Sequence, residues 1–250
     1  MAELIVLAQV FTAIFVVSLV SLVGAVTISI QMDKLKKIIL YLVSFAAGAL
    51  LGGAFIHLLP EAIELNGFGM ETGLMVLSGI LLFFVIEKII KWRHCHDMPG
   101  KCEIHSFSQM SLIGDAVHNV IDGMLIAGSF LVSVQIGIST TIAVLFHELP
   151  QEIGDFGILL HGGYSKKKAL LMNFLTALTA FLGAIIVLFF SGFIAGIELF
   201  ILPFAAGGFI YIAGSDLLPE MHKEIKAKTS FFQLIALIAG IAVMLLLKAI

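Results

Sequence analysis

Two short segments of this chain carry side chains able to hold a metal ion. One contains Asp115, His118, Asn119 and Asp122; the other contains His147, Glu148, Gln151, Glu152 and Asp155. On helices, His118 with Asp122 and His147 with Gln151 are four residues apart, so each pair projects from one helical face. Two such faces can converge on a single ion. Imidazoles mixed with carboxylates and amides suit Zn²⁺, Fe²⁺, Mn²⁺, Co²⁺ or Ni²⁺, whereas an all-oxygen set would point to Mg²⁺ or Ca²⁺ and a sulfur-rich one to Cu(I). No Lys or Arg occurs between Lys101 and Lys166, so the acids of these segments have few salt-bridge partners, and protons or metal cations remain to neutralise them. Because the ligands bind deprotonated, metal affinity is expected to fall as pH drops. Pro150 removes one backbone donor and is expected either to free the carbonyl near Phe146 toward a cavity or simply to kink the helix.

The elements that position these residues follow from composition. Hydrophobic residues make up 60% of the chain, charged residues 12%, and the mean hydropathy is +1.12. A soluble fold is excluded, because it cannot hide that much apolar surface. Apolar stretches at 4–30, 38–63, 72–92, 107–130, 136–161, 168–192, 197–220 and 229–249 are each long enough to cross a ~30 Å hydrocarbon core. They are continuous blocks rather than alternating strands, so helices are expected, not a barrel. The first stretch lacks a basic leader region and reads as a span rather than a secretory signal. Of the 14 basic residues, 13 fall in or beside the links after spans one, three, five and seven, and only Lys248 lies opposite. The positive-inside rule makes that side cytoplasmic and puts both termini outside.

A repeat supports this layout. Phe45-Ala46-Ala47-Gly48 and His57-Leu58-Leu59-Pro60-Glu61 recur as Phe204-Ala205-Ala206-Gly207 and Asp216-Leu217-Leu218-Pro219-Glu220 at a constant offset of 159. The copies lie in spans that run in opposite senses, the inverted architecture of many secondary transporters. The expectation is therefore an all-α membrane protein: eight transmembrane helices, with inverted repeats (spans one to three and six to eight) around a metal-bearing pair, spans four and five. It is read as one domain over 1–250 with a cytoplasmic loop at 93–106.

His118-Asn119-Val120-Ile121-Asp122-Gly123 and His147-Glu148-Leu149-Pro150-Gln151-Glu152-Ile153-Gly154-Asp155-Phe156 resemble the paired fourth- and fifth-span motifs of the ZIP divalent metal transporters. The resemblance extends to nearly the whole chain and implies a transporter, not an enzyme, carrying zinc foremost, then iron, manganese or cadmium, toward the cytoplasm. It implies a binuclear site: His118, Asp122, His147 and Gln151 around one ion, and Asn119, Asp122, Glu148 and Gln151 around a second, with Asn173 able to complete it. Many relatives have His at position 151, others Glu, and the neutral amide here is a weaker ligand. An elevator-like motion and a homodimer are further expectations of the family, and no nucleic-acid partner is expected.

Other polar residues have two readings. His57 and Glu61 near the outer end of span two, and Asp216, Glu220 and His222 near the inner end of span seven, are either an entrance and an exit or interfacial side chains. Asp115 and Asp155 are candidate pathway residues. His94, Cys95, His96, Cys102 and His105 form a metal-capable loop that matches no closed zinc motif, and the two cysteines point to no disulfide framework. The main alternative is an intramembrane metalloprotease, since His147-Glu148 begins a H-E-x-x-H-like pattern, but its second His is Gln151 here. A proton relay is a further alternative. No phosphate-binding loop occurs, so direct ATP drive is not expected. The small extramembrane portion favours a prokaryotic inner membrane.

Overall fold

In a bilayer the backbone must satisfy its own hydrogen bonds, and long apolar runs do so as helices. In a computed structural model, the described residues are 2–27, 32–95, 104–193 and 196–249, and no strand occurs among them. They form eight helical rods. α1 spans Ala2–Val20 and continues through Ser21–Val23 and Gly24–Thr27. α2 spans Met32–Gly52, passes through a π-helical turn at Gly53–Leu58 and resumes as Leu59–Asn66. α3 is Met70–Cys95, α4 is Ile104–Val132 and α5 is Val134–His161. α6 joins Lys166–Ala177 to Thr179–Ser191; α7 joins Ile197–Ile212 to Leu218–His222 through a second π-helical turn, Ala213–Leu217; α8 is Ala227–Lys248.

Seven of these rods are long and apolar enough to cross a membrane. The eighth, α5, has the length at 28 residues, but its polar interior, from His147 to Asp155, keeps it from qualifying by composition. The chain is thus an all-α membrane protein in which the least apolar rod carries one of the metal-ligand motifs. Within the segment expected as a loop at 93–106, α3 runs to Cys95 and α4 starts at Ile104. His96 and Cys102 lie outside the described residues, as do the side chains of His94, Cys95 and His105.

The rods sort into two groups of four. α1, α4, α5 and α6 pack on one another, while α2 pairs with α8, α3 with α7, and α7 with α2. The groups meet chiefly where α5 lies along α2 and α7 along α4. Apolar packing gives little net drive between helices in lipid, so close approach over small residues matters. Gly123 on α4 faces the backbone of Ala180 on α6, and Gly183 on α6 faces that of Val120.

The sequence repeat has a structural counterpart. Gly48 on α2 faces the backbone of Leu237 on α8, and Gly207 on α7 faces the backbone of Val76 on α3. Reciprocally, Gly240 on α8 meets the carbonyl of Phe45, and Gly79 on α3 meets that of Phe204. Both copies then enter a π-helical turn, followed in each by Leu-Pro-Glu. Pro60 and Pro219 sit in the first turn after it, where a missing N–H costs least.

Candidate metal centre

The two ligand-bearing rods form a hairpin closed by one residue. Ser133 is extended (φ −159°, ψ 157°) and its Oγ accepts the N–H of Ile136 at 3.2 Å, capping α5. Thr140 donates to Ser129 Oγ across the buried hairpin at 2.9 Å. Pro150 lies inside α5, which remains helical through it, and it lines the cavity beside the site.

His118, Asp122, His147 and Glu148 bring one ligand atom each within 4.8 Å of one another. The Nε2 atoms of His118 and His147 are 3.0 Å apart. Asp122 Oδ2 lies 3.1 Å from His147 Nε2 and 3.7 Å from His118 Nε2, and Glu148 Oε1 lies 3.5 Å and 3.4 Å from the same two atoms. Ligand atoms around a tetrahedral ion with bonds near 2.0–2.1 Å are separated by about 3.3 Å, so this spacing suits a small transition-metal ion. His147 Nδ1 is 3.2 Å from the carbonyl of Ala143; an N–H donated there leaves the Nε2 lone pair facing the cluster. Both Asp122 oxygens and Glu148 Oε1 are buried without a hydrogen-bond partner. Such groups are costly in a dry interior, and a cation relieves the cost.

Gln151 joins His118, His147 and Pro150 in lining a cavity of about 270 Å³ that extends to Asp216 and Glu220 on α7. His222 is exposed and does not line it.

Toward the N-terminal end of α4, Asp115, Glu148 and Glu152 also bring one oxygen each within 4.8 Å of one another, so Glu148 belongs to both groups. The Asn119 amide donates to Asp115 Oδ1 at 2.9 Å and to the Asp115 carbonyl at 3.1 Å. The Asn173 amide, from α6, donates to Glu152 Oε2 at 2.8 Å and to the Glu152 carbonyl at 3.1 Å. Asp155 Oδ1 accepts from Ser111 at 2.7 Å. Among the described residues, no Lys or Arg forms an ion pair with Asp115, Asp122, Glu148 or Glu152.

His57 and Glu61 stand apart from these groups. They line a separate cavity of about 210 Å³ with Gln135 and Lys248, and His57 Nε2 is 2.7 Å from the carbonyl of Met244. Sequence reasoning missed Ser111 as a partner of Asp155 and Ser133 as the hairpin link, since a serine alone gives no signal of what it bonds to. Lys248, in the cavity with His57 and Glu61, had one: in the sequence it is the single basic residue set apart from all the others.

A family profile described as ZIP Zinc transporter matches residues 4–106 and 93–248. Zinc transporter ZIP13 homolog of Drosophila melanogaster is 35% identical over 84% of this chain and 77% of its own length. Zinc transporter ZIP13 of Pongo abelii is 38% identical over 82% of this chain and 65% of its length, and Zinc transporter SLC39A7 of Rattus norvegicus is 29% identical over 85% and 65%. The chain thus spans roughly two thirds to three quarters of these relatives. All three are animal proteins, so the expectation of a prokaryotic inner membrane has no support, and nothing in these matches favours a metalloprotease. A profile that takes in nearly the whole sequence, with relatives above 30% identity across most of it, places the chain in the ZIP zinc transporter family, to which it belongs.

Proposed function

We propose that this chain carries divalent transition-metal cations across a membrane toward the cytoplasm, zinc foremost and iron, manganese or cadmium as further cargoes, through a binuclear site between α4 and α5. The observation that carries this reading is the buried quartet of His118, Asp122, His147 and Glu148, whose carboxylate oxygens lack hydrogen-bond partners. The first ion is held by His118, Asp122, His147 and Glu148, with Gln151 at the cavity wall. A second lies beside it, on the set implied by the family resemblance: Asn119, Asp122, Glu148 and Gln151, with Asn173 able to complete it. Relatives named as zinc transporters support zinc as the principal cargo.

The remaining parts follow from this role. Metal enters past His57 and Glu61 and leaves along the cavity toward Asp216 and Glu220, with His222 at its outer margin and the 93–106 segment, including His94, Cys95, His96, Cys102 and His105, as a cytoplasmic capture loop. Asp115 and Asp155 continue the polar path inside the hairpin. The polar α5 counts as the eighth span of a single domain over 1–250, both termini are outside, and α2 with α7 belong to inverted repeats. The group α1, α4, α5 and α6 carries the ion as it shifts against the other four rods, in a homodimer.

The test is uptake of Zn²⁺, Fe²⁺, Mn²⁺ and Cd²⁺ into proteoliposomes, with His118→Ala and Asp122→Ala as variants. Uptake by the unaltered chain and a fall of at least about 10-fold in both variants is expected, since even outer partners of a metal ligand contribute that much. Equal flux in all three would remove this site from the pathway.

A further inference from the structure

The hairpin buries more negative charge than one ion offsets. Asp115, Asp122, Glu148 and Glu152 are each at most 4% exposed, and a divalent cation in the histidine quartet neutralises only two of them. The second-ion set implied by resemblance, Asn119, Asp122, Glu148 and Gln151, brings no carboxylate beyond those two, because position 151 is an amide here. Its Asn119 nitrogen is also committed to Asp115.

One helical turn away the requirements are met. Asp115, Glu148 and Glu152 present oxygens within 4.8 Å of one another. Asp115 Oδ2 and Glu152 Oε1 are buried without partners. Asn173, fully buried, spends its amide nitrogen on Glu152 and keeps Oδ1 unpartnered beside it.

We infer that the second divalent cation of this chain sits on Asp115, Glu148 and Glu152, with Glu148 bridging the two ions and Asn173 Oδ1 as a further ligand. This rests on the metal-transport reading for the identity of the cargo. Two divalent cations against four carboxylates leave the buried cluster neutral, whereas with either ion alone two carboxylates must be neutralised by protons instead. An oxygen-only set selects differently from its neighbour: it discriminates less against the harder Mn²⁺ than the histidine quartet, which favours Zn²⁺.

The purified full-length chain is titrated with Mn²⁺, bound and free ion being followed by electron paramagnetic resonance, and separately with Co²⁺, whose visible absorption reports the histidine site. The unaltered chain should take up two Mn²⁺, and their spectrum at saturation should be exchange-coupled through the shared carboxylate. Asp115→Asn with Glu152→Gln should reduce the uptake to one Mn²⁺ and abolish the coupling while leaving the Co²⁺ absorption, which also reports an intact fold. Two ions still bound by that variant would overturn the inference. So would a saturated unaltered chain with one ion or with two uncoupled spectra, a result that needs no variant. A coupled pair in a chain that moves no metal into proteoliposomes would leave this site standing and sink the transport reading instead.

Discussion

Asp122 lies within reach of both imidazoles, and neither of its oxygens has another partner. Every donor around it must shed its proton to bind metal: the histidines as imidazolium, the carboxylates as acids. Protons therefore compete with the ion, and affinity falls as pH falls. Zn²⁺ affinity measured by calorimetry is expected to weaken at least about 10-fold between about pH 7.5 and about pH 5.5, the range in which imidazoles titrate; an unchanged affinity would contradict the ligand set. At this scale much was legible. Spacing alone put His118 and Asp122 on one face and His147 on another, and the absence of Lys and Arg from the segment foretold unneutralised acids. It could not show that Asn119 turns its nitrogen onto Asp115, or that Glu148 faces both groups, because those outcomes depend on how α4 and α5 cross and on which rotamers the crossing allows.

Between helices, the decisive contacts are made where side chains are missing. Gly123 lets α4 lie against the carbonyl of Ala180, and an added Cβ would run into that backbone. Gly123→Val should lower stability by about 1–3 kcal/mol, the usual cost of overpacking, and appear as a reduced Tm of the solubilised protein. Gly157→Ala is the control, since nothing lies within 4 Å of a Cβ there and alanine is the better helix former, by up to about 1 kcal/mol. A control that falls as far as the α4 variant would argue against the close-approach account. Element positions were largely readable, because the polar breaks between apolar blocks coincide with the ends of the rods. The π-helical turns at Gly53–Leu58 and Ala213–Leu217 were not, since an extra residue in a turn leaves the hydropathy unchanged; only the repeated Leu-Pro-Glu marked where they end.

For the whole molecule, the division into two groups of four was not legible in the sequence. Chain order would pair neighbours, yet α2 rests on α8 and α3 on α7. If the groups shift during transport, tying them together should stop it. A Cβ on Gly53 of α2 would stand 3.4 Å from the Cβ of Ala143 on α5, close to the ~3.8 Å of a disulfide. With Cys95 and Cys102 replaced by Ser, Gly53→Cys with Ala143→Cys is expected to lose metal uptake on oxidation and regain it on reduction; full uptake by the cross-linked protein would mean that the groups stay still. The one-residue link at Ser133 bears on how such a molecule is assembled. Both principal ligand motifs sit on rods joined by a one-residue closure, so bringing them together costs little loop entropy, whereas α2 must wait for α8, which is made after the other seven rods. The order of synthesis therefore favours a hairpin with its ligand motifs already paired, and the packing of α2 on α8 afterwards.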